Sequence, residues 1–314
     1  MVERIVIFMY GYWGKILRIN LTQKSYHTEE VPENVWKKFV GGSAFGAKVL
    51  LEETPPKVDP LSEENKIIFG VGIWQSDKNS GSGKWSVVTK SPLTGTFLDS
   101  CGGGNFAPAI KRAGYDAIII EGKSSSPVKL VIKDEEVKIE DADSLWGKDA
   151  METFHQFRSS LDDKRYSIVY IGPAGEIEHP IAAIGCDGHS VAGRGGAGAV
   201  MGSKKLKAIA VLGTNHVPLY DPETVNRRSL ELMREFSKRC TEKRSSGTTA
   251  APINYEKIGN LPLKYWVGET WGKAEQISGS HYNEILHTKP SFCANCPYGC
   301  HRHVKLEEPK EYAV

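Results

Sequence analysis

No stretch of the 314-residue chain approaches the roughly 18 to 20 continuous apolar residues that a membrane-crossing helix requires. The brief apolar run Ile5 to Met9 follows Glu3 and Arg4 and has no small-residue cleavage site, which argues against a secretory leader. An excess of one charge is missing too, since 40 Lys and Arg stand against 38 Asp and Glu. Without clustered basic residues the chain offers no electrostatic footprint for nucleic acid or an anionic membrane. Cysteine is sparse, six residues in all, and unevenly placed, unlike the spread framework of a disulfide-stapled secreted protein. These absences predict a globular cytoplasmic chain that binds neither nucleic acid nor membrane, so its partners must be argued from sites.

Glycine, by contrast, is abundant. Its 32 residues make about 10% of the chain, where about 7% is usual, and the excess is clustered. The length predicts roughly two domains. Strands are expected at Lys15 to Leu21, Lys66 to Val71, Ser86 to Thr89, Ala117 to Glu121, Val128 to Ile132, Ser167 to Ile171 and Ala208 to Leu212, each aliphatic or β-branched and bounded by turn residues. Helices are expected at Ser43 to Glu53, Asn105 to Ala113, Asp149 to Leu161 and Val200 to Leu206. This mixture predicts an α+β domain up to about residue 213. Three segments within it, beginning at Val40, Cys101 and Ala192, share one layout: glycine cluster, short helix, basic residue, aliphatic strand ending at glycine. Glycines at a helix entrance either form an anion-binding cradle or allow tight packing, and the repeated layout weighs both readings about equally. From Asp221 the pattern turns helical: Asp221 is a candidate N-cap, Pro222 suits the first helical position, and Val225 to Lys238 carries Leu230, Leu232, Met233 and Phe236 at helical spacing. The polar stretch Lys243 to Thr249 reads as a loop.

The sharpest chemical signal is CANCPYGC, which spaces Cys293, Cys296 and Cys300 as CxxCxxxC. Three thiolates this close converge on one metal centre, and thiolates favour zinc or iron–sulfur clusters. Zinc would complete its shell with His301 or His303. A cubane cluster needs a fourth ligand, and no cysteine follows Cys300; either Cys101, Cys186 or Cys240 supplies it through the fold or, more simply, it is absent from this chain.

Several long motifs then occur in order: MYGYWGKILRINL (from Met9), VDPLSEENKIIF (from Val58), VVTKSPLTG (from Val87), AGYDAIIIEGK (from Ala113), IGPAGE (from Ile171) and AGRGGAGAVMGSKKLKAIAV (from Ala192). Together with CANCPYGC they resemble the amino-terminal half of the tungsten-containing aldehyde ferredoxin oxidoreductases. The resemblance implies an α+β base domain of β-sheets and helices under a tungsten (or molybdenum) bis-pyranopterin, followed by the start of an all-α domain. It implies a 4Fe-4S cluster beside the pterin, an aldehyde substrate oxidised to the carboxylate, and ferredoxin as electron acceptor. It divides the chain into residues 1–8, an upstream extension; 9–213, the pterin-binding domain; and 214–314, an incomplete helical domain carrying the cluster cysteines.

Residue by residue, the resemblance places three cluster ligands on Cys293, Cys296 and Cys300. The family's pterin-contacting arginine falls on Lys84, which keeps the charge and loses the forked donor geometry. The asparagine before the second glycine cluster falls on Cys101, with Gly102, Gly103 and Gly104 following. A second pterin-contacting stretch falls on His189, Ser190, Val191, Ala192 and Gly193. Ala313 stands where a carboxylate is expected, and GIWQSD from Gly72 replaces the usual GPLTGT, which together predict a divergent branch. Full-length members are about twice as long, so the resemblance also predicts either a truncated reading frame or a fragment whose remaining half, with the fourth cluster cysteine, is on another polypeptide.

Overall fold

The structure, a computed structural model, describes residues 9–76 and 78–305. The expected upstream extension and Ala313 lie outside the described residues.

Strands β1 (Lys15–Asn20), β2 (Ser25–Glu30), β3 (Ile67–Gly70), β4 (Trp85–Lys90), β5 (Phe97–Gly102) and β6 (Ala117–Glu121) form one six-stranded sheet in the order β2-β1-β6-β3-β4-β5. Strands β7 (Val128–Lys133), β8 (Glu136–Asp141), β9 (Ser167–Tyr170), β10 (Ile184–Cys186), β11 (Ser190–Ala192) and β12 (Leu206–Leu212) form a second, β11-β10-β9-β12-β7-β8. Each sheet is antiparallel apart from one parallel pair, β1 with β6 and β7 with β12. Their central strands read as unbroken aliphatic runs because both faces are covered. Ile118 and Ile120 enter a core shared by the two sheets, whereas Ala117 and Ile119 enter an outer core. In the second sheet Ile209 and Val211 face the shared core, and Ala208 and Ala210 the outer one.

Helices fill the layers. α1 (Glu33–Phe39) and α2 (Gly42–Glu53) cover the outer face of the first sheet through Trp36, Phe45 and Val49. α3 (Phe106–Arg112), the single-turn α5 (Pro173–Glu176) and α6 (Ala197–Ser203) complete the interior; Phe106, Ile110, Val200 and Met201 belong to the shared core. α4 (Ala150–Ser160) covers the second sheet with Phe154 and Phe157 and begins at a capping box between Asp149 and Glu152. α6 starts three residues earlier than its apolar pattern predicts, because Gly196 enters it at φ 82° and Lys205, at φ 57°, lies just beyond its end. Two buried ion pairs lock the layers: Lys111 with Asp116, and Lys207 with Glu176. Asp116 also accepts from the amides of Trp13 and Gly14 at 2.9 and 2.8 Å, tethering the segment that leads into β1.

Beyond β12 come α7 (Pro222–Arg239), α8 (Thr241–Ser246), α9 (Pro252–Lys257), α10 (Gly279–Ile285) and a two-stranded ribbon of β13 (His287–Ser291) and β14 (His301–Lys305). Asp221 caps α7 through the Thr224 amide at 2.9 Å, as its position in the sequence predicts. The expected loop at Lys243 to Thr249 is instead helical, in α8 and the 3-10 turn Gly247–Ala250. α10 presses on it so closely that a Cβ added at Gly279 would lie 2.5 Å from that of Ser246, and this contact overrides the polar composition. The ribbon was not expected; it frames the cysteine loop.

Candidate metal and cofactor site

The loop from Phe292 to Cys300 reverses the chain between β13 and β14. Asn295 at φ 50° and Gly299 at φ 56° make the bends, and the Cys296 amide donates to Cys293 O at 3.1 Å. Cys293, Cys296 and Cys300 are free thiols. Three contacts fasten the loop to the first sheet: Ala294 N donates to Gly104 O at 3.1 Å, Gly81 N to Asn295 O at 2.7 Å, and Asn295 Nδ2 to Ser82 Oγ at 3.2 Å. The divergent segment from Gly72 to Gly83 is thus part of the loop's seat, and its Ser80 amide also reaches Ser229 Oγ on α7 at 3.2 Å.

Glycine makes the seat thin enough. A Cβ at Gly103 would lie 2.6 Å from Cys293 Sγ and 3.0 Å from Ser190 Oγ. One at Gly83 would lie 2.7 Å from Gly104 O and 2.9 Å from Cys293 Cβ. Gly102 lies flat against the Trp85 ring, whose Nε1 donates to Gly103 O at 2.7 Å. The Gly103 amide donates to the buried Ser190 hydroxyl at 2.7 Å, so these two expected cofactor contacts satisfy each other and join β5 to β11. Asp187, which sequence reasoning missed, completes the turn. Its carboxylate accepts from Ser167 Oγ, the Ile168 amide and the Asn105 amide, the last at 2.8 Å.

The remaining expected residues are mostly exposed to solvent. Cys101, Val191 and Gly193 are exposed, as is Lys84, and around Gly193 an added Cβ would touch only the Val191 side chain at 3.6 Å. Ala192 points into the shared core. Lys84 lies between the two groups: its charge acts on the Cys101, Cys293 and Cys300 thiols and on His301. Burial pushes the Cys293 thiol up, but His189, the backbone at Gly104 and Lys84 outweigh it and leave the thiol more acidic than usual. His189 is correspondingly raised, chiefly by Cys293. Cys300 is raised by burial and by the neighbouring Cys293 and Cys296. A cavity of about 490 Å³ opens beside Cys296 and Cys300, walled by Gly247, Thr248, Tyr255 and Tyr298.

The repeated glycine layout resolves differently in its three copies. In the first, Gly41 and Gly46 bring α2 onto Val71 and Val88. In the third, α6 is buried throughout, and an added Cβ at Gly198 or Gly202 would strike the Ala183 or Gly175 carbonyl at 2.5 or 1.8 Å. Both are packing glycines. Only the second copy reaches the cysteines, and at its helix entrance the Asp187 carboxylate takes the place of an external anion. His303, one of the two expected zinc ligands, is exposed on β14. His301 instead lies near His189, with ring centroids 5.3 Å apart.

Residues 16–213 match the family model described as aldehyde ferredoxin oxidoreductase, N-terminal domain, and residues 225–313 match that of domains 2 and 3. The chain belongs to the aldehyde ferredoxin oxidoreductase family. It is 41% identical over 303 residues to a tungsten-containing aldehyde ferredoxin oxidoreductase of Pyrococcus abyssi, covering 94% of this chain and 49% of that one. An aliphatic sulfonate oxidoreductase, WOR-like subunit, of Pyrococcus furiosus is 34% identical over 314 residues, covering 93% and 49%. Among solved structures, the active-site complex BamBC of benzoyl coenzyme A reductase superposes with TM-score 0.83 at 30% identity, covering 96% of this chain and 48% of that one. The chain therefore spans about half the length of the curated relatives it matches. The mixed sheets and helices are the α+β architecture that the family implies. Among the described residues the three free thiols do not gather within 4.8 Å of one another as the expected zinc ligands would, since Cys293 groups instead with His189 and His301; thiolates set further apart on one loop, two of them beside a cavity, suit an iron–sulfur cluster.

Proposed function

We propose that this chain provides the pterin-facing base and three cluster ligands of a tungsten-dependent, or molybdenum-dependent, aldehyde-oxidising enzyme. In this reading residues 9–213 form the cofactor-binding domain, and 214–314 begin a helical domain carrying Cys293, Cys296 and Cys300 as ligands of a 4Fe-4S cluster. The bound metal–pterin would supply the two-electron oxidation of an aldehyde with water, and the cluster would relay single electrons to ferredoxin.

The contact between Cys293 and the Gly103 turn carries the reading, because it sets one thiol of the loop beside the exposed Cys101, where the pterin would lie. Cys101, Val191 and Gly193 would meet it through their exposed surface. Gly103 and Ser190 act by holding β5 to β11, so the amide of Gly103 is already committed. Lys84 places a cation between the two groups, where it would stabilise a reduced, more negative cluster or a pterin phosphate. Lysine offers a single ammonium rather than a fork, so it holds whatever it binds less rigidly than arginine would.

The reading includes the half of a relative's length not matched here, supplied by more of the same polypeptide or by a separate companion chain. α7 supports it: Leu230, Leu232 and Phe236 remain 45%, 37% and 38% exposed on a helix whose sequence is amphipathic. Such a face is normally covered.

Anaerobic expression with iron, sulfide and tungstate, followed by metal analysis and electron paramagnetic resonance, tests the proposal. The expected result is cluster iron that is lost when Cys293, Cys296 or Cys300 is replaced by serine, and aldehyde-dependent dye reduction once the other half is supplied. Stoichiometric zinc under these conditions, with no iron, tungsten or pterin, would sink it.

A further inference from the structure

The two histidines beside Cys293 have buried ring nitrogens that nothing in the proposed cluster uses. His189 Nδ1 is 2.8 Å from the Asp187 carbonyl oxygen. A carbonyl only accepts, so the proton sits on Nδ1, and in the neutral ring Nε2 carries the lone pair. That Nε2 is buried and reaches no described partner at hydrogen-bond geometry, although the Cys293 thiol is near enough to interact with the ring. His301 Nδ1 is likewise buried and reaches no described partner at hydrogen-bond geometry. One nitrogen of each ring and the Cys293 sulfur lie within 4.8 Å of one another. Two rings crossed at 70° around a thiol, one of them fixed by a backbone carbonyl, form the arrangement in which an outer hydrogen bond orients a metal-binding imidazole.

We propose that His189, Cys293 and His301 form a mononuclear site for a zinc-type divalent cation, occupied when no iron–sulfur cluster holds Cys293. Zinc bonds of about 2.0 to 2.3 Å set tetrahedral donor atoms about 3.3 to 3.8 Å apart, so the trio needs only a modest inward closure. The donor set is two imidazoles and one thiolate, which suits zinc or cobalt, and water fills the fourth position. Cys296 and Cys300 face the cavity beside α9 and are not part of the trio. Cys293 is the one residue common to both sites, so ion and cluster exclude each other. Binding joins the turn between β10 and β11 to the start of β14, two segments more than a hundred residues apart in sequence. The Lys84 ammonium opposes an incoming cation, but it is exposed to solvent and partly screened.

The proposal shares Cys293 with the cluster reading and does not depend on it. The test uses the full chain, stripped with chelator under reducing, iron-free conditions and titrated with Co²⁺. One equivalent should bind, giving the near-ultraviolet sulfur-to-cobalt charge-transfer band of a single thiolate and the visible bands of a four-coordinate ion. His189→Ala, His301→Ala and Cys293→Ser should each weaken binding by about ten-fold or more, with circular dichroism confirming that each variant is folded. Cys296→Ser and Cys300→Ser should bind as the parent does, although neither should reconstitute the cluster with iron and sulfide. Loss of cobalt binding in Cys296→Ser or Cys300→Ser, with retention in the histidine variants, would assign the ion to CxxCxxxC and overturn the proposal. So would absence of binding in the folded parent. Failure of iron reconstitution alongside intact cobalt binding would count against the cluster and leave this site standing.

Discussion

Gly103 has an ordinary backbone conformation, so its side-chain hydrogen is required by space alone. An alanine there would press on Cys293 Sγ and Ser190 Oγ together. Gly103→Ala is expected to cost about 1–3 kcal/mol in stability and to lower the iron incorporated per chain by turning the sulfur away; equal iron in variant and parent would refute the assigned contact. Lys204 makes a separate prediction. Its ammonium donates to the carbonyls of Glu63 and Gly122, and burial lowers its pKa to about 8. The unfolded chain keeps that proton up to about pH 10.4, so between these values it binds more protons than the folded one. Stability therefore rises with pH across this window, by up to about 3 kcal/mol. Denaturant titrations at pH 8 and pH 10 should show the rise in the parent and a flatter response in Lys204→Met.

Among the elements, α5 and α6 meet with almost no side chain between them. The added carbon of Gly202→Ala would lie 1.8 Å from the Gly175 carbonyl oxygen, where only backbone movement makes room. A loss of about 3 kcal/mol, read as a lower denaturant midpoint with unchanged slope, is the expected outcome. Asp187→Ala should cost a similar amount, because the Ile168 and Asn105 amides would lose their acceptor; a midpoint within 0.5 kcal/mol of the parent, on the order of an ordinary surface change, would contradict its role in joining α3 to β9. The central strands were legible in the sequence because aliphatic runs buried on both faces carry strong local patterns. Short β10, β11 and the β13–β14 ribbon were not, since Ser190 to Ala192 or His287 to Ser291 becomes a strand only through its partner. The cysteine spacing singled out the loop on which Cys293, Cys296 and Cys300 stand as free thiols. Nothing local announced His189 as its neighbour, because that contact arises only when the turn after β10 and the loop after β13 are brought together. Glycine was read in the right places, yet its use as packing in two of three clusters depends on which carbonyl stands opposite.

At the scale of the molecule, two covered sheets share a closed core, while the segment beyond β12 leaves apolar groups exposed, such as Trp266 at 64% and Val267 at 86% in the turn after α9. Docking of the other half should protect the amides of α7 from hydrogen exchange and leave those of β6 and β12 unchanged, since the latter already lie in closed cores. Unchanged exchange along α7 in an active assembly would show that this half docks elsewhere.

The seat of the cysteine loop also has an order in time. Its receiving surfaces, the Gly83 and Gly103 turns and the Asp187–Ser190 corner, are all made before residue 191, whereas Cys293 follows about a hundred residues later. At roughly 5–20 residues per second, the ribosome gives the sheets on the order of 5–20 s to close before the first thiol of the loop is synthesised. The cysteines thus arrive at a finished dock, and a nascent chain stalled near residue 260, with β12 clear of the ribosome, should already carry the protease resistance of both sheets.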